Sequence, residues 1–202
     1  MTPEYLPVPR IERIFIDIDG VLANYLERLL DNYNQRHGTS FIAADVTDWH
    51  LKNILQPGQK WGDYIDKDFW TALKSYPWAH SLVRLVRDTK LPYAFLTALL
   101  DENRPDNAFA TFIDGRRKWL DDQFPTLEGQ GFPPSTRLIF ASCKDLVVKE
   151  GDLLIEDASH NVNAARAVGA HVLALAQPWN QDIKCLRCTP EQILRFLGHL
   201  SA

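Results

Sequence analysis

Asp17 and Asp19 stand two residues apart in RIFIDIDGVLANY (residues 13–25), after an apolar run and directly before Gly20. Carboxylates this close repel one another, and a strand that reads as buried makes both harder to desolvate. Three further apolar runs end in polar groups. FLTALL delivers Thr97, FASCKD delivers Ser142 and Lys144, and IEDASHN delivers Glu156, Asp157 and Asn161. Each has a plain structural explanation when taken singly. Paired aspartates occur in Asx turns as well as in metal sites, and threonine favours strands. A lysine is ordinarily solvated, and acidic residues favour a helix start. Together they would bring carboxylates, a hydroxyl and an ammonium to one rim, because ligands of an open parallel sheet bind outside the carboxyl ends of its strands.

The rest of the chain must then supply such a sheet. Nearly continuous apolar runs alternate with helix-period segments, the pattern of parallel strands covered by helices. Strands are expected at residues 13–18, 91–97, 137–142 and 152–157, with HVLAL (171–175) as the last. NYLERLLDNYNQRHG reads as a helix with Leu26, Leu29, Leu30 and Tyr33 on one face, capped by Asn24 and ended by Gly38. SLVRLVRD reads as a second helix, and DNAFATFIDGRRKWLDDQF as a third with Phe109, Phe112, Ile113 and Leu120 as its apolar stripe. The basic run Arg116, Arg117, Lys118 reads as a solvated face that could pair with Asp121 or Asp122. EGQGFPPST reads as loop, NVNAARAVG as a short helix, and TPEQILRFLGHL as a closing helix with a Thr189–Gln192 capping box.

From the first strand to the second is roughly 75 residues, whereas one strand–helix–strand crossover needs about 30. The excess is too long for a bare loop. The expected fold is therefore α/β: a Rossmann-like parallel sheet with helices on both faces, with a small helical cap inserted after the first strand–helix unit. Residues 1–37 and 78–202 form the core and residues 38–77 the cap. The cap collects aromatics: Trp49, Trp61, Tyr64, Phe69, Trp70 and Tyr76, with Trp78 just beyond.

Composition narrows the class. Of the 202 residues 46% are hydrophobic and 24% charged, enough for a substantial core. The formal net charge of −4 argues against binding duplex nucleic acid, though not against a small anion. Three cysteines cannot build a disulfide framework, and the Cys185/Cys188 spacing lacks a second pair for zinc. No stretch resembles a signal peptide or a membrane span, so no membrane association and a cytoplasmic location are expected.

The ordered set DIDGVLAN, FLTA, CKD and LLIEDASHN resembles the four motifs of the haloacid dehalogenase superfamily of phosphotransferases. Within it the chain is most similar to the 5'(3')-deoxyribonucleotidases, on DxDGVLA followed by an aromatic, the insertion, and the fourth motif. The resemblance implies an Mg²⁺-dependent phosphomonoesterase acting on a small phosphorylated substrate, in first place a (deoxy)nucleoside monophosphate. Asp17 would be the nucleophile and form an aspartyl phosphate, while Asp19 would serve as general acid and base. Asp17 and Asp157 would bind the metal through side chains and Asp19 through its carbonyl. Thr97, Ala98, Lys144 and Gly20 would hold the phosphate, with Gly20 allowing a close backbone approach.

Two positions depart from the pattern. Glu156 replaces the usual aspartate, and Asn161 stands where relatives carry a second acid; both would lie behind the metal ligands. By resemblance the insertion covers the phosphate site, so Tyr25, Trp49, Phe69 and Trp70 are candidates for stacking on the base. For an insertion that needs its own core, the same rings are also natural filler.

Competing readings are a sugar-phosphate phosphatase or phosphomutase of the same superfamily, a non-catalytic phosphate-binding module, and a DxD-type glycosyltransferase. The last predicts neither Lys144 nor LLIED. Asp19 speaks against a dehalogenase, which needs no acid–base group there. A homodimer is an admissible assembly.

Overall fold

The computed structural model describes residues 10–99, 108–125, 133–183 and 187–201. Six parallel strands form one sheet: β1 Arg13–Ile16, β2 Tyr93–Thr97, β3 Leu138–Phe140, β4 Asp152–Glu156, β5 His171–Leu175 and β6 Arg187–Cys188. Their order is β3-β2-β1-β4-β5-β6. The chain winds outward from β1 in one direction through β2 and β3, then in the other from β4. The order thus reverses between β1 and β4, where an open α/β sheet leaves its ligand crevice.

Side chains of β1 alternate between two cores, as the period of two requires. Ile14 and Ile16 join the larger cluster with Leu26 and Leu30, Leu82 and Val86, Phe112 and Leu120, and Ile193 and Leu197. These come from helices α1 (Tyr25–His37), α2 (Ala79–Asp88), α3 (Ala108–Gln123) and α5 (Pro190–Leu200). Phe15 joins the second cluster with Leu96, Leu154, Val148 and Ala165, the last from α4 (Ser159–Ala167). Helices therefore cover both faces, which explains the unbroken apolar character of β1 and β4.

The expected caps form. Asn24 accepts a 3.3 Å hydrogen bond from the Glu27 amide, and Gly38 ends α1 in the left-handed region at φ +64°. Thr189 and Gln192 close their reciprocal box on α5.

The insertion differs from the expectation in its local structure. Residues 38–77 hold two short 3₁₀ segments, Ala43–Asp45 and Trp61–Tyr64, and otherwise turns, with no α-helix. Its apolar residues are too sparse and irregular for a helix stripe, so tertiary packing decides. Val46, Leu51, Ile54, Tyr64, Phe69, Trp70 and Leu73 merge with the larger core cluster. The segment returns beside its point of departure: the Asn24 amide donates to the Lys74 carbonyl, and the Tyr76 amide to the Leu22 carbonyl, both at 2.8 Å. Indole N–H groups add two more ties, Trp78 to the Val21 carbonyl at 2.9 Å and Trp119 to the Leu73 carbonyl at 2.7 Å.

Parts of four expected features fall outside the described residues: Cys185 of the Cys185/Cys188 pair, the first five residues (128–132) of the EGQGFPPST loop, the start of the third helix (106–107, with the side chain of Phe109), and the N-terminal residues 1–9 of the core. Cys188 is buried and Cys143 exposed. Among the described residues no helix is long and apolar enough to cross a membrane.

Candidate active site

The carboxyl ends of β1, β2 and β4, with the turn after β3, converge on one cleft. The Asp17 amide still donates to the Ile155 carbonyl at 3.0 Å, so sheet pairing carries its side chain to the rim before the chain leaves the sheet. Lys144 follows β3 in a 3₁₀ turn and is 2% exposed, an unusual state for a lysine. Its Nζ donates 2.7 Å to Asp17 Oδ1 and 2.6 Å to Glu156 Oε2. Glu156 Oε1 accepts the amides of Asp157 (3.1 Å) and Ala158 (2.9 Å). Asp157 Oδ2 accepts the Trp179 indole N–H at 2.8 Å, and the Asp157 carbonyl accepts from Asn180 at 2.7 Å.

The electrostatics separate these carboxylates. Burial, then the charge of Glu156, pushes Asp17 and Asp157 well above the usual carboxylate range. Burial would raise Glu156 too, but the charge and hydrogen bond of Lys144 and the Ala158 amide hold it low. Burial works against charge on Lys144, and the charges of Asp17 and Glu156 overcome it, raising its pKa. One ammonium thus serves three buried carboxylates, which leaves an excess of negative charge.

A divalent cation fits that excess. Asp17, Glu156 and Asp157 each offer a ligand atom within 4.8 Å of the others, and Asp157 Oδ1 is buried with no hydrogen-bond partner. An all-oxygen donor set suits a hard cation such as Mg²⁺. Gly20 makes room for it. At φ +76° it turns the chain, and a Cβ there would stand 2.2 Å from Asp157 Oδ2. The glycine thus clears a carboxylate, where the sequence suggested clearance for phosphate.

Thr97, the last residue of β2, is fully buried, and its Oγ1 has no partner, so the hydroxyl is free to meet a ligand oxygen. The next residue, Ala98, lines a cavity of about 180 Å³ together with Asp17, Asp19, Leu99, Lys144, His160 and Asn161, with Tyr25, Trp49, His50, Trp61, Trp70 and Phe112 as its aromatic wall. Burial lowers the pKa of His160, which favours a neutral ring, and its edge meets Trp49 at 6.0 Å between centroids. Of the four rings read as base candidates, Tyr25, Trp49 and Trp70 face this cavity. Phe69 does not; it is fully buried, edge-on to Tyr25 and Trp70, as packing within the insertion.

Arg116 overturns the reading of its basic run. Lys118 pairs with Asp122 at 2.8 Å on the surface as expected, but Arg116 is fully buried and ion-paired to Asp19. Its guanidinium lies 4.3 Å from the centroid of the Trp70 ring. The spacing held the signal: residue 116 falls between Phe112 and Trp119/Leu120, on the apolar stripe of α3. Trp61 and His50 were also passed over; aromatic content placed Trp61 in the insertion but said nothing of its direction.

Residues 10–193 match the family described as 5' nucleotidase, deoxy (pyrimidine), cytosolic type C protein. A protein of Staphylococcus epidermidis, provisionally assigned as a 5'(3')-deoxyribonucleotidase, is 28% identical over 165 residues, covering 77% of this chain and 88% of that one. Among solved structures, a haloacid dehalogenase-like hydrolase of Streptococcus pneumoniae is similar at TM-score 0.59 and 16% identity, over 93% of this chain and 98% of that chain. A haloacid dehalogenase family hydrolase of Deinococcus radiodurans, solved with bound phosphate and sodium, is similar at TM-score 0.52 and 13% identity, over 90% and 92%. At these identities the structural likenesses concern the fold.

Proposed function

The chain belongs to the 5' nucleotidase, deoxy (pyrimidine), cytosolic type C family and is a phosphoric monoester hydrolase, and from that premise we propose that it hydrolyses (deoxy)nucleoside monophosphates through an aspartyl phosphate on Asp17. The observation that carries this reading is Lys144 held between Asp17 and Glu156, beside the unpartnered Oδ1 of Asp157 and Oγ1 of Thr97. A substrate phosphate would supply acceptors for the hydroxyl and the ammonium, and a cation would satisfy the carboxylate.

Asp17, Asp157 and the carbonyl of Asp19 would hold Mg²⁺, with Glu156 and Asn161 behind them. When bound, the ion supplies charge neutralisation, so that a carboxylate can approach a phosphate dianion. The chain's own residues do the rest. Lys144 and Thr97 hold phosphoryl oxygens where negative charge must be stabilised, and the backbone at Ala98 closes over them. Asp17 attacks phosphorus. Asp19, partly exposed and lining the cavity, gives a proton to the leaving oxygen and later takes one from the attacking water, a role worth ~10²–10⁴ in rate. Glu156 steers Lys144 through its own two amide contacts. Tyr25, Trp49 and Trp70 offer ring faces or edges to the base, with residues 38–77 acting as the cap. Three cysteines, too few for a disulfide framework, suit a cytoplasmic protein.

One observation favours a smaller substrate. The cavity of about 180 Å³ lies below the roughly 300–1,000 Å³ of common ligand sites, which keeps a sugar-phosphate phosphatase as the second reading. A panel of deoxyribonucleoside, ribonucleoside and sugar monophosphates, assayed with and without Mg²⁺, separates the two. Nucleotide hydrolysis that vanishes on chelation supports the first reading; preference for sugar phosphates installs the second; no hydrolysis of either overturns both.

A further inference from the structure

Among the described residues Arg116 is the largest charged side chain completely withdrawn from solvent, and one of its N–H groups meets Asp19. Its Nε and Nη1 are buried with no acceptor. An arginine inside a core is costly unless something fixes and uses its charge. Here the guanidinium is clamped on aromatic rings, 4.3 Å from the Trp70 centroid and 5.6 Å from that of Phe112. Gly115 permits the clamp, since a Cβ there would stand 2.7 Å from Trp70 Cβ. The Trp119 indole ties the same helix to the Leu73 carbonyl in the returning segment of the insertion at 2.7 Å. Insertion and α3 thus form one block that delivers a flat, rotationally fixed donor to Oδ1 of Asp19.

We propose that Arg116 is a positioning residue: by gripping Oδ1 of Asp19, it aims the second carboxylate oxygen at the leaving group. Arg116 does not itself line the cavity, so it acts through Asp19. The step concerned is the first half-reaction. The Asp17 oxygen–phosphorus bond forms, the phosphorus–ester oxygen bond breaks, and the ester oxygen takes the proton from Asp19 to leave as an alcohol. Contact with both Trp70 and Asp19 also makes the seating of the insertion a determinant of proton delivery. The inference rests on the reading of Asp17 and Asp19 given above.

The test exploits leaving groups. A nucleoside alkoxide needs its proton, whereas p-nitrophenolate departs without one. kcat/KM, which reports events through phosphoryl transfer to Asp17, is measured for Arg116→Lys and Arg116→Met with Mg²⁺ on a deoxyribonucleoside monophosphate and on p-nitrophenyl phosphate. Misplacing a catalytic group typically costs about 10²-fold, and that loss is expected on the nucleotide, with a loss within about threefold on p-nitrophenyl phosphate. Arg116→Lys keeps the charge but cannot keep the fork flat on the rings, so it should show the same split. Equal losses on both substrates, or none, would overturn the proposal. Thermal melting identifies a variant that fails to fold; the more conservative Arg116→Lys then decides. Wild-type protein that hydrolyses neither substrate would instead reject the phosphatase reading itself.

Discussion

A Cβ at residue 20 would stand 2.2 Å from Oδ2 of Asp157, the oxygen that accepts the Trp179 indole, and 2.8 Å from its unpartnered Oδ1. The turn after β1 and the end of β4 therefore share one small volume, and only a glycine lets both enter it. The φ of +76° adds a second demand for glycine at the same residue.

Gly20→Ala should fail on both counts. Backbone strain in the left-handed region costs about 1–2 kcal/mol, and displacement of the Asp157 carboxylate adds to it. Thermal melting should show the loss of stability, and isothermal titration with Mg²⁺ should show weakened binding. Unchanged binding would mean that Asp157 lies outside the metal set.

Lys144→Met leaves Asp17 and Glu156 buried without their cation, and breaking a buried pair from one side costs about 3–5 kcal/mol. Without Lys144 the Glu156 carboxyl is no longer held low, so its folded pKa moves above its unfolded one. Stability of this variant should then fall as pH rises through that window, where the wild type gains from Glu156. Urea midpoints across pH measure the slope; a parallel offset at all pH values would contradict the account.

Asp17→Asn should abolish turnover yet raise the melting temperature of the metal-free protein. The Asp17 carboxyl is raised by burial and by Glu156, so its folded form binds a proton more tightly than the unfolded form. Its contribution is fully present below the ordinary carboxylate range and is lost as pH climbs through the raised value. An amide escapes that loss at neutral pH. Each kcal/mol recovered should appear as roughly 2–4 °C.

By the same sign, Mg²⁺ should stabilise the wild type more at about pH 7 than at about pH 5, because it must displace protons held by Asp17 and Asp157 at the lower value. Calorimetric melting with and without EDTA checks this. An increment that is equal at both pH values would remove these carboxylates as ligands.

Tyr25→Ala should weaken nucleotide hydrolysis by about tenfold or more, since stacking on a base is worth ~1–3 kcal/mol. p-Nitrophenyl phosphate should change less. Equal losses would assign Tyr25 to packing against Phe69 and Trp61, its edge-on neighbours.

How far the sequence told this story depended on whether a residue's role was local. Asp17 and Thr97 could be read because each directly follows an apolar run, and Asp157 because only Glu156 separates it from one, and a strand end points one way. Lys144 could be read only with the motif, since nothing in CKD shows that its ammonium is buried between two carboxylates. The insertion's length could be read but not its local structure, because its shape comes from contacts with the core rather than from periodicity. Arg116 was hidden by Arg117 and Lys118, which made a buried cation look like part of a solvated run. Strand β6 has two residues and pairs with Ala174 and Leu175 of β5, too short for any pattern to reveal.

The most direct test of the account is rapid quenching of a single turnover with radiolabelled deoxyribonucleoside monophosphate, followed by mapping of the labelled peptide. The account predicts an acid-stable, base-labile label on the peptide holding Asp17, formed with Mg²⁺ and absent from Asp17→Asn. Full hydrolysis with no protein-bound label, or a label on another residue, would contradict it.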